Sequence, residues 1–133
     1  MEKTALIVTD GAESTQKIAE ELKAVLANYQ VILVSAGDFK GTQLLPADLC
    51  FFGAEEPEPP SFSYLYKMLM HINLANRPCG IFSTSEKAVE YLRGMVHDSE
   101  LALYPDPFLG EGNIKTWTEQ VAAGGFGSGI SNN

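Results

Sequence analysis

The chain has 133 residues, of which 45% are hydrophobic and 10% aromatic, which fits one folded domain with one core and argues against general disorder. It carries 9 Lys and Arg against 17 Asp and Glu, a net charge of −8. This balance excludes the clustered basic surface that nucleic acids and anionic membranes require. It favours basic partners or cations instead.

The cysteines and the N-terminal sequence indicate the compartment. Cys50 and Cys79 have apolar neighbours and are too few for a disulfide scaffold, so we expect two reduced core thiols. The first residues show no signal-peptide pattern, and no stretch approaches the roughly 20 apolar residues of a membrane span. We therefore expect a cytoplasmic protein that does not act at membranes.

Short apolar runs alternate with amphipathic helical patterns along the chain. Apolar runs without polar alternation are typical of strands buried in a parallel sheet. The predicted strands are residues 5–9, 31–34, 49–53, 80–84 and 101–104. The predicted helices carry residues 18–26, 65–72, 86–92 and 114–121. The predicted capping residues are Ser14 or Thr15, Ser61 or Ser63, and Ser85.

This order of elements predicts an α/β protein, a three-layer doubly wound sheet of five parallel strands. The common order of such a sheet is 2-1-3-4-5, and ligands bind at the carboxyl ends of its strands. We predict a single domain over residues 1–123 and a flexible Gly-rich tail over residues 124–133. The tail glycines alternate as in nucleotide-binding loops, but no helix follows them.

A response-regulator receiver domain shares this outline but needs other residues at the strand ends. Asp10 and Thr84 meet two of its requirements. The third strand, however, ends in Gly53 where the phosphate-accepting Asp should stand, and no Lys follows the fifth strand. Because acylphosphate chemistry needs that carboxylate, the sequence disfavours an active receiver.

Several short segments occur in the order and spacing of another known family. They are the first strand with its polar turn, Thr15-Gln16-Lys17-Ile18-Ala19, Asp38-Phe39, Leu44-Leu45, and residues 47–53 and 77–84. Together they resemble the flavodoxin family over about residues 4–123. The resemblance implies a flavodoxin-like fold, FMN binding and one-electron transfer to basic redox partners. It therefore implies an electron carrier or binding module rather than a catalyst.

The resemblance also implies where FMN would bind. The family's phosphate loop corresponds here to Asp10-Gly11-Ala12-Glu13-Ser14-Thr15, where backbone N–H groups and hydroxyls at a helix start would hold the phosphate. This loop is degenerate, because Asp10 and Ala12 stand where hydroxyls are usual and Glu13 replaces a glycine. One carboxylate about 6 Å from a unit negative charge costs ~3 kcal/mol at an effective dielectric of ~20. That corresponds to roughly a hundredfold in affinity.

The flavin ring would lie between the loops after the third and fourth strands, at Ala54, Glu55, Thr84 and Ser85. Neither loop carries an aromatic residue to stack on the ring. Tyr104 and Phe108 could reach this site from the fifth loop, but we expect them to pack in the core or within that loop. An alternative to FMN binding is therefore a flavin-free flavodoxin-like protein that binds a protein partner.

Seven carboxylates fall on the loops at this edge of the sheet. This acidic rim consists of Asp10, Glu13, Glu55, Glu56, Glu58, Glu86 and Asp106. Three interpretations stay open: a solvated face, a docking surface for a basic protein or redox partner, and a divalent cation site. His71 and His97 lack zinc-ligand spacing, and we find no catalytic constellation.

Overall fold

Residues 3–124 are described by a computed structural model, in which strands and helices alternate. The strands are β1 (Lys3–Thr9), β2 (Tyr29–Ser35), β3 (Leu49–Gly53), β4 (Pro78–Phe82) and β5 (Ala102–Leu103). The α-helices are α1 (Glu13–Val25), α2 (Ser63–His71), α3 (Glu86–His97) and α4 (Ile114–Ala123). Single-turn 3-10 helices cover Gly41–Gln43 and Pro60–Phe62.

The five strands form one parallel sheet in the order β2-β1-β3-β4-β5. This confirms the predicted strand order and the α/β class. Only a 3-10 turn, rather than an α-helix, lies between β2 and β3. The central strand β3 is buried along its whole length, because helices cover both faces of the sheet.

Alternate residues of β1 supply two separate cores, one on each face of the sheet. Leu6 and Val8 face the side that α2 and α3 cover. Ala5 and Ile7 face the side that α1 and α4 cover. The sheet and the helices on its two faces are the three predicted layers. The helices do not cover the ends of the strands, where the connecting loops lie.

Both cysteines lie in the core as free thiols. Cys50 of β3 and Cys79 of β4 are fully buried register partners. Burial raises the pKa of Cys50 to about 12 and holds the pKa of Cys79 well above its ordinary value. The prediction of core thiols is confirmed, and neither is activated as a nucleophile.

The predicted helix caps are right at one helix and wrong at two. Ser85 caps α3, since its hydroxyl accepts the N–H of Ala88 at 3.3 Å. The first helix instead begins at Glu13, and Ala12 at its cap position offers no side-chain acceptor. The helix α2 continues from the 3-10 turn that Pro60 begins, so its start has no side-chain cap either.

The fourth strand is shifted from its predicted position, and the fifth is shorter than predicted: β4 begins and ends two residues earlier than residues 80–84. The strand β4 ends at Phe82 because Ser83 turns the chain, its hydroxyl accepting the N–H of Ser85 at 2.9 Å. Ser83 and Thr84, predicted as strand, therefore belong to the following loop. The strand β5 has two residues rather than four.

The rest of the sequence predictions concern membrane spans and the tail. Among residues 3–124, no helix is both long and apolar enough to cross a membrane. The predicted tail lies outside the described residues apart from Gly124, whose N–H donates to the carbonyl of Val121 at 3.1 Å.

Candidate functional site

The carboxyl ends of the strands bring the predicted site residues together at one edge of the sheet. Asp10, Gly11 and Ala12 connect β1 to α1, and Glu13, Ser14 and Thr15 form the first turn of that helix. Ala54 and Glu55 follow β3, while Thr84 and Ser85 lie between β4 and α3. The three segments are neighbours because β1, β3 and β4 are adjacent in the sheet.

The Asp10 carboxylate accepts four hydrogen bonds from two loops. Its Oδ1 accepts the N–H of Ala12 at 3.1 Å and the hydroxyl of Thr15 at 2.8 Å. Its Oδ2 accepts the N–H of Glu55 at 2.8 Å and that of Glu56 at 3.2 Å. The side chain therefore joins the start of α1 to the loop after β3, 45 residues away in sequence.

These hydrogen bonds outweigh the cost of enclosing the charge. Burial by itself raises the pKa of Asp10, whereas the N–H of Glu55, the Thr15 hydroxyl and the N–H groups of Glu56 and Ala12 lower it. The net pKa lies below the ordinary value of an aspartate. Asp10 is therefore an anion at neutral pH, held by donors that point at it.

The Glu55 carboxylate makes a second link, from the loop after β3 to the loop after β4. Its Oε2 accepts the N–H of Thr84 at 2.8 Å. The Thr84 hydroxyl lies 2.5 Å from Oε1 and 2.6 Å from Oε2. The buried Ser83 hydroxyl adds a longer contact of 3.4 Å. Asp10 and Glu55 thus connect three loops in series, and we call this arrangement the carboxylate bridge.

The first turn of α1 still presents donors outside the carboxylate bridge. The N–H groups of Glu13, Ser14 and Thr15 have no carbonyl one turn earlier in the helix. Among residues 3–124 none of these three N–H groups makes a hydrogen bond. Gly11 makes the turn before the helix with φ at +85°, a conformation that favours glycine.

The remaining predicted site residues have other surroundings. Ala54 is fully buried, and the hydroxyl of Ser85 is used as the cap of α3. Ser14 and Thr84 line a cavity of about 260 Å³ beside α1, which is below the roughly 300 Å³ at which ligand pockets begin. Sequence reasoning missed Ser83 and the N–H of Glu56. The Ser-x-Ser spacing after a strand was a signal for Ser83; no local pattern marks Glu56.

The residues at this edge do not fit FMN as they are arranged. Asp10 already occupies the Ala12 and Thr15 donors that a phosphate would need. A sandwiched flavin needs roughly 7 Å between its two walls, twice a carbon contact distance. The direct hydrogen bonds between Glu55 and Thr84 close that space between the loops. No aromatic residue occurs at positions 54–61 or 83–86.

The aromatic residues of the fifth loop pack against α4. Phe108 is buried, with its ring centroid 5.5 Å from that of Trp117. The hydroxyl of Tyr104 donates to Gln120 at 2.7 Å. Both residues therefore pack as expected, and neither serves as a wall for a flavin.

The acidic rim divides into internal and exposed carboxylates. Asp10 and Glu55 are half-buried within the carboxylate bridge, whereas the other five are exposed. In the described part of the chain, no lysine or arginine nitrogen lies within 4.0 Å of a carboxylate oxygen; the one contact of this kind joins His97 to Asp98. No three His, Cys, Asp or Glu side chains among residues 3–124 could hold a metal ion together.

The end of β3 also bears on receiver chemistry. A Cβ at Gly53 would lie 2.1 Å from the ring of Phe82. A side chain at this position would therefore displace a buried aromatic ring of the core. The position where a receiver carries its phosphate-accepting Asp has no room for one.

The fold and the position of the site define a doubly wound α/β protein that presents its functional loops at the carboxyl edge. No protein-family model and no curated protein matches the chain. Solved structures do, and several of them are flavodoxins. Flavodoxin 2 from Bacillus cereus has a TM-score of 0.73 and 16% identity, over 91% of this chain and 98% of that one.

Two further structures agree. A flavodoxin from the domain Archaea has a TM-score of 0.75 and 16% identity, over 90% of this chain and 96% of that one. A short-chain flavodoxin associated with a bacterial microcompartment has a TM-score of 0.78 and 11% identity, over 92% and 98%. The chain therefore has the flavodoxin fold over almost its whole length, and the predicted resemblance in fold is confirmed.

Proposed function

We propose that this protein is a flavodoxin-like docking module that binds a basic protein through its acidic rim and does so without a flavin. The proposal rests on the exposed carboxylates of the acidic rim. Glu13, Glu56, Glu58, Glu86 and Asp106 are exposed at one edge of the sheet without a basic partner among the described residues. Like charges gathered in this way are unfavourable until a cationic surface neutralises them.

Apolar side chains accompany the exposed carboxylates. Leu109 is 52% exposed in the loop that follows β5. Tyr64 is 45% exposed in the first turn of α2, which begins after the loop of Glu56 and Glu58. Protein interfaces combine apolar anchors with charged surroundings that steer the encounter. This edge of the sheet offers both.

A lysine decapeptide is a suitable probe, because it presents cationic charge without a fold of its own. We expect the wild-type chain to bind it with an affinity that falls steeply as salt is added. A rim variant carries Glu56→Gln, Glu58→Gln and Glu86→Gln. A control variant carries Glu20→Gln, Glu100→Gln and Glu119→Gln, which are exposed elsewhere. Both variants lose three negative charges.

The position of the charges, and not their number, decides the outcome. Three exposed pairs contribute about 1–2 kcal/mol together, so we expect the rim variant to bind the decapeptide roughly tenfold more weakly. The control variant should bind within about twofold of wild type. Equal weakening in both variants would show that only net charge matters and would reject the rim as the docking surface.

FMN-linked electron transfer is the second candidate function. It is supported by the likeness in fold to flavodoxins and by the three free N–H groups at the start of α1. A visible spectrum of the purified protein, followed by an FMN titration, separates the candidates. A yellow protein, or flavin fluorescence quenched at micromolar FMN, would establish the second candidate. A colourless protein that does not bind FMN at millimolar concentration would reject the second candidate and favour the docking module.

A further inference from the structure

We infer that the carboxylate bridge is an internal ligand: the Asp10 carboxylate takes the position of a phosphate at the start of α1, and Glu55 closes the space of a flat ring. The inference is independent of the proposed partner. It states that this chain supplies from its own residues the contacts that a bound anion would otherwise supply between these loops.

The first argument is the set of donors around Asp10. A helix start binds an anion through N–H groups and hydroxyls that converge on one point. Here the N–H of Ala12 and the hydroxyl of Thr15 converge on Oδ1 of Asp10, at 3.1 and 2.8 Å. A planar carboxylate with two oxygens can accept all four hydrogen bonds that reach it. No additional anion is needed to satisfy these donors.

The second argument is the identity of the other donors. The N–H groups of Glu55 and Glu56 belong to the loop after β3, and both point at Oδ2 of Asp10. The backbone N–H of Asp10 also donates to the carbonyl of Gly53 at 3.1 Å. The loop after β3 is thus held against the loop after β1 by hydrogen bonds in both directions.

The third argument is that Glu55 continues the same connection. Its N–H is held by Asp10, and its own carboxylate is held by Thr84 at 2.8 Å. The next loop is fixed in turn, because the N–H of Ser83 donates to the carbonyl of Phe108 at 3.0 Å. One continuous series of hydrogen bonds therefore orders the whole edge, and it requires both carboxylates.

The test is a gain of binding in a variant from which the internal anion has been removed. Wild type, Asp10→Ser and Glu56→Ser are titrated with FMN, followed by flavin fluorescence, and with inorganic phosphate, followed by the amide signals of Glu13 and Ser14. Asp10→Ser frees the donors of the carboxylate bridge. Glu56→Ser removes an equal charge from the same edge but keeps its backbone N–H, so it is the matched control.

We expect no saturation of wild type below millimolar FMN or phosphate, and at least tenfold tighter phosphate binding by Asp10→Ser alone. Tenfold is a lower bound on the roughly hundredfold that one nearby carboxylate costs an anion. Micromolar FMN binding by wild type would overturn the inference. So would an unchanged affinity in Asp10→Ser, or an equal gain in Glu56→Ser.

A second variant keeps the inference testable if Asp10→Ser does not fold. Asp10→Asn retains the shape of the side chain but has one acceptor oxygen instead of two. At least one of the Ala12, Glu55 and Glu56 amides should then exchange with solvent about tenfold faster or more. The Thr4 amide, which donates to the Asp48 carboxylate at 2.9 Å, is the internal control. Unchanged exchange at all three amides would overturn the inference.

Discussion

The starts of α1 and α3 lie at the same edge of the sheet, and each helix begins with a glutamate, yet they are capped in different ways. At α3 the neutral hydroxyl of Ser85 accepts an N–H three residues later. At α1 the cap position is an alanine, and the acceptor is the charged side chain of Asp10, two residues earlier. The cap of α3 is local, whereas the anion at α1 holds the N–H of Ala12 and the Thr15 hydroxyl, leaves the first three helical N–H groups free and also holds a distant loop.

This difference is the basis of the proposed internal ligand. A local cap such as Ser85 satisfies its own helix and affects nothing else. The anion at α1 connects three loops through Glu55 and Thr84. A helix start without a side-chain cap favours a nearby anion, and at α1 the chain provides one.

The largest expected effect is on the free energy of unfolding, when the acceptor side chain of Asp10 or of Ser85 is removed. Asp10→Ala should lower the free energy of unfolding by about 2–3 kcal/mol, because four donors lose a charged acceptor. Ser85→Ala should lower it by about 1 kcal/mol, the usual cost of losing a serine cap. Urea denaturation of both variants measures this comparison. A loss at Asp10 no larger than the loss at Ser85 would mean that the carboxylate bridge contributes little.

Acid should remove the stabilisation that Asp10 provides at the start of α1 and should not affect the Ser85 cap of α3. The folded-state pKa of Asp10 lies below its ordinary value, so its contribution is complete above the unfolded pKa and is lost as the pH falls through the folded pKa. We therefore expect wild type to lose more stability than Asp10→Asn between about pH 5 and pH 2. Parallel pH profiles of the two proteins would contradict this. The Ser85 cap has no titratable group.

Glu55→Gln should have an intermediate effect. The amide oxygen of Gln can still accept the N–H of Thr84, but the charge that strengthens this bond is gone. We expect a loss of about 1 kcal/mol in the free energy of unfolding. Thr84→Val should cost a similar amount, and the double variant should cost less than the sum because the two residues share one contact. Strict additivity in this double-mutant cycle would show that they do not interact.

The smallest expected effect concerns the first glutamate of each helix. Glu13 and Glu86 occupy the first position of α1 and α3, where a negative charge stabilises a helix by about 0.3–1 kcal/mol. Because Glu13 is also close in sequence to the Asp10 anion, its gain is partly cancelled by repulsion. Glu13→Gln should thus cost less than Glu86→Gln in thermal denaturation. The reverse order would indicate that Asp10 is not charged.

Much of the fold was predictable, because apolar periodicity reports directly on strands and helices. A short run of apolar residues such as 49–53 is typical of a strand at the centre of a parallel sheet. The strand order followed from the number and sequence of elements. The ends of the elements were less predictable. The β-branched residue Thr84 favours a longer β4, but the hydrogen bond from the N–H of Ser85 to the hydroxyl of Ser83 turns the chain and ends the strand before it.

The site was predictable in its position and less so in its chemistry. The sequence identifies Asp10 as a departure within the phosphate loop and predicts repulsion of a phosphate. It does not reveal that the Asp10 carboxylate itself takes the place of that phosphate, because its second pair of donors lies 45 and 46 residues away. Contacts of this kind depend on the register of β1 against β3, which no local pattern encodes.

The central claim is that one carboxylate accepts the N–H groups of Ala12, Glu55 and Glu56, and an NMR pH titration of the wild-type chain tests it directly. Amide signals that donate to a carboxylate move as that carboxylate is protonated. We expect the three amides to titrate together, with one midpoint below the ordinary pKa of an aspartate. Three amides that do not move, or that move with separate midpoints, would contradict the claim.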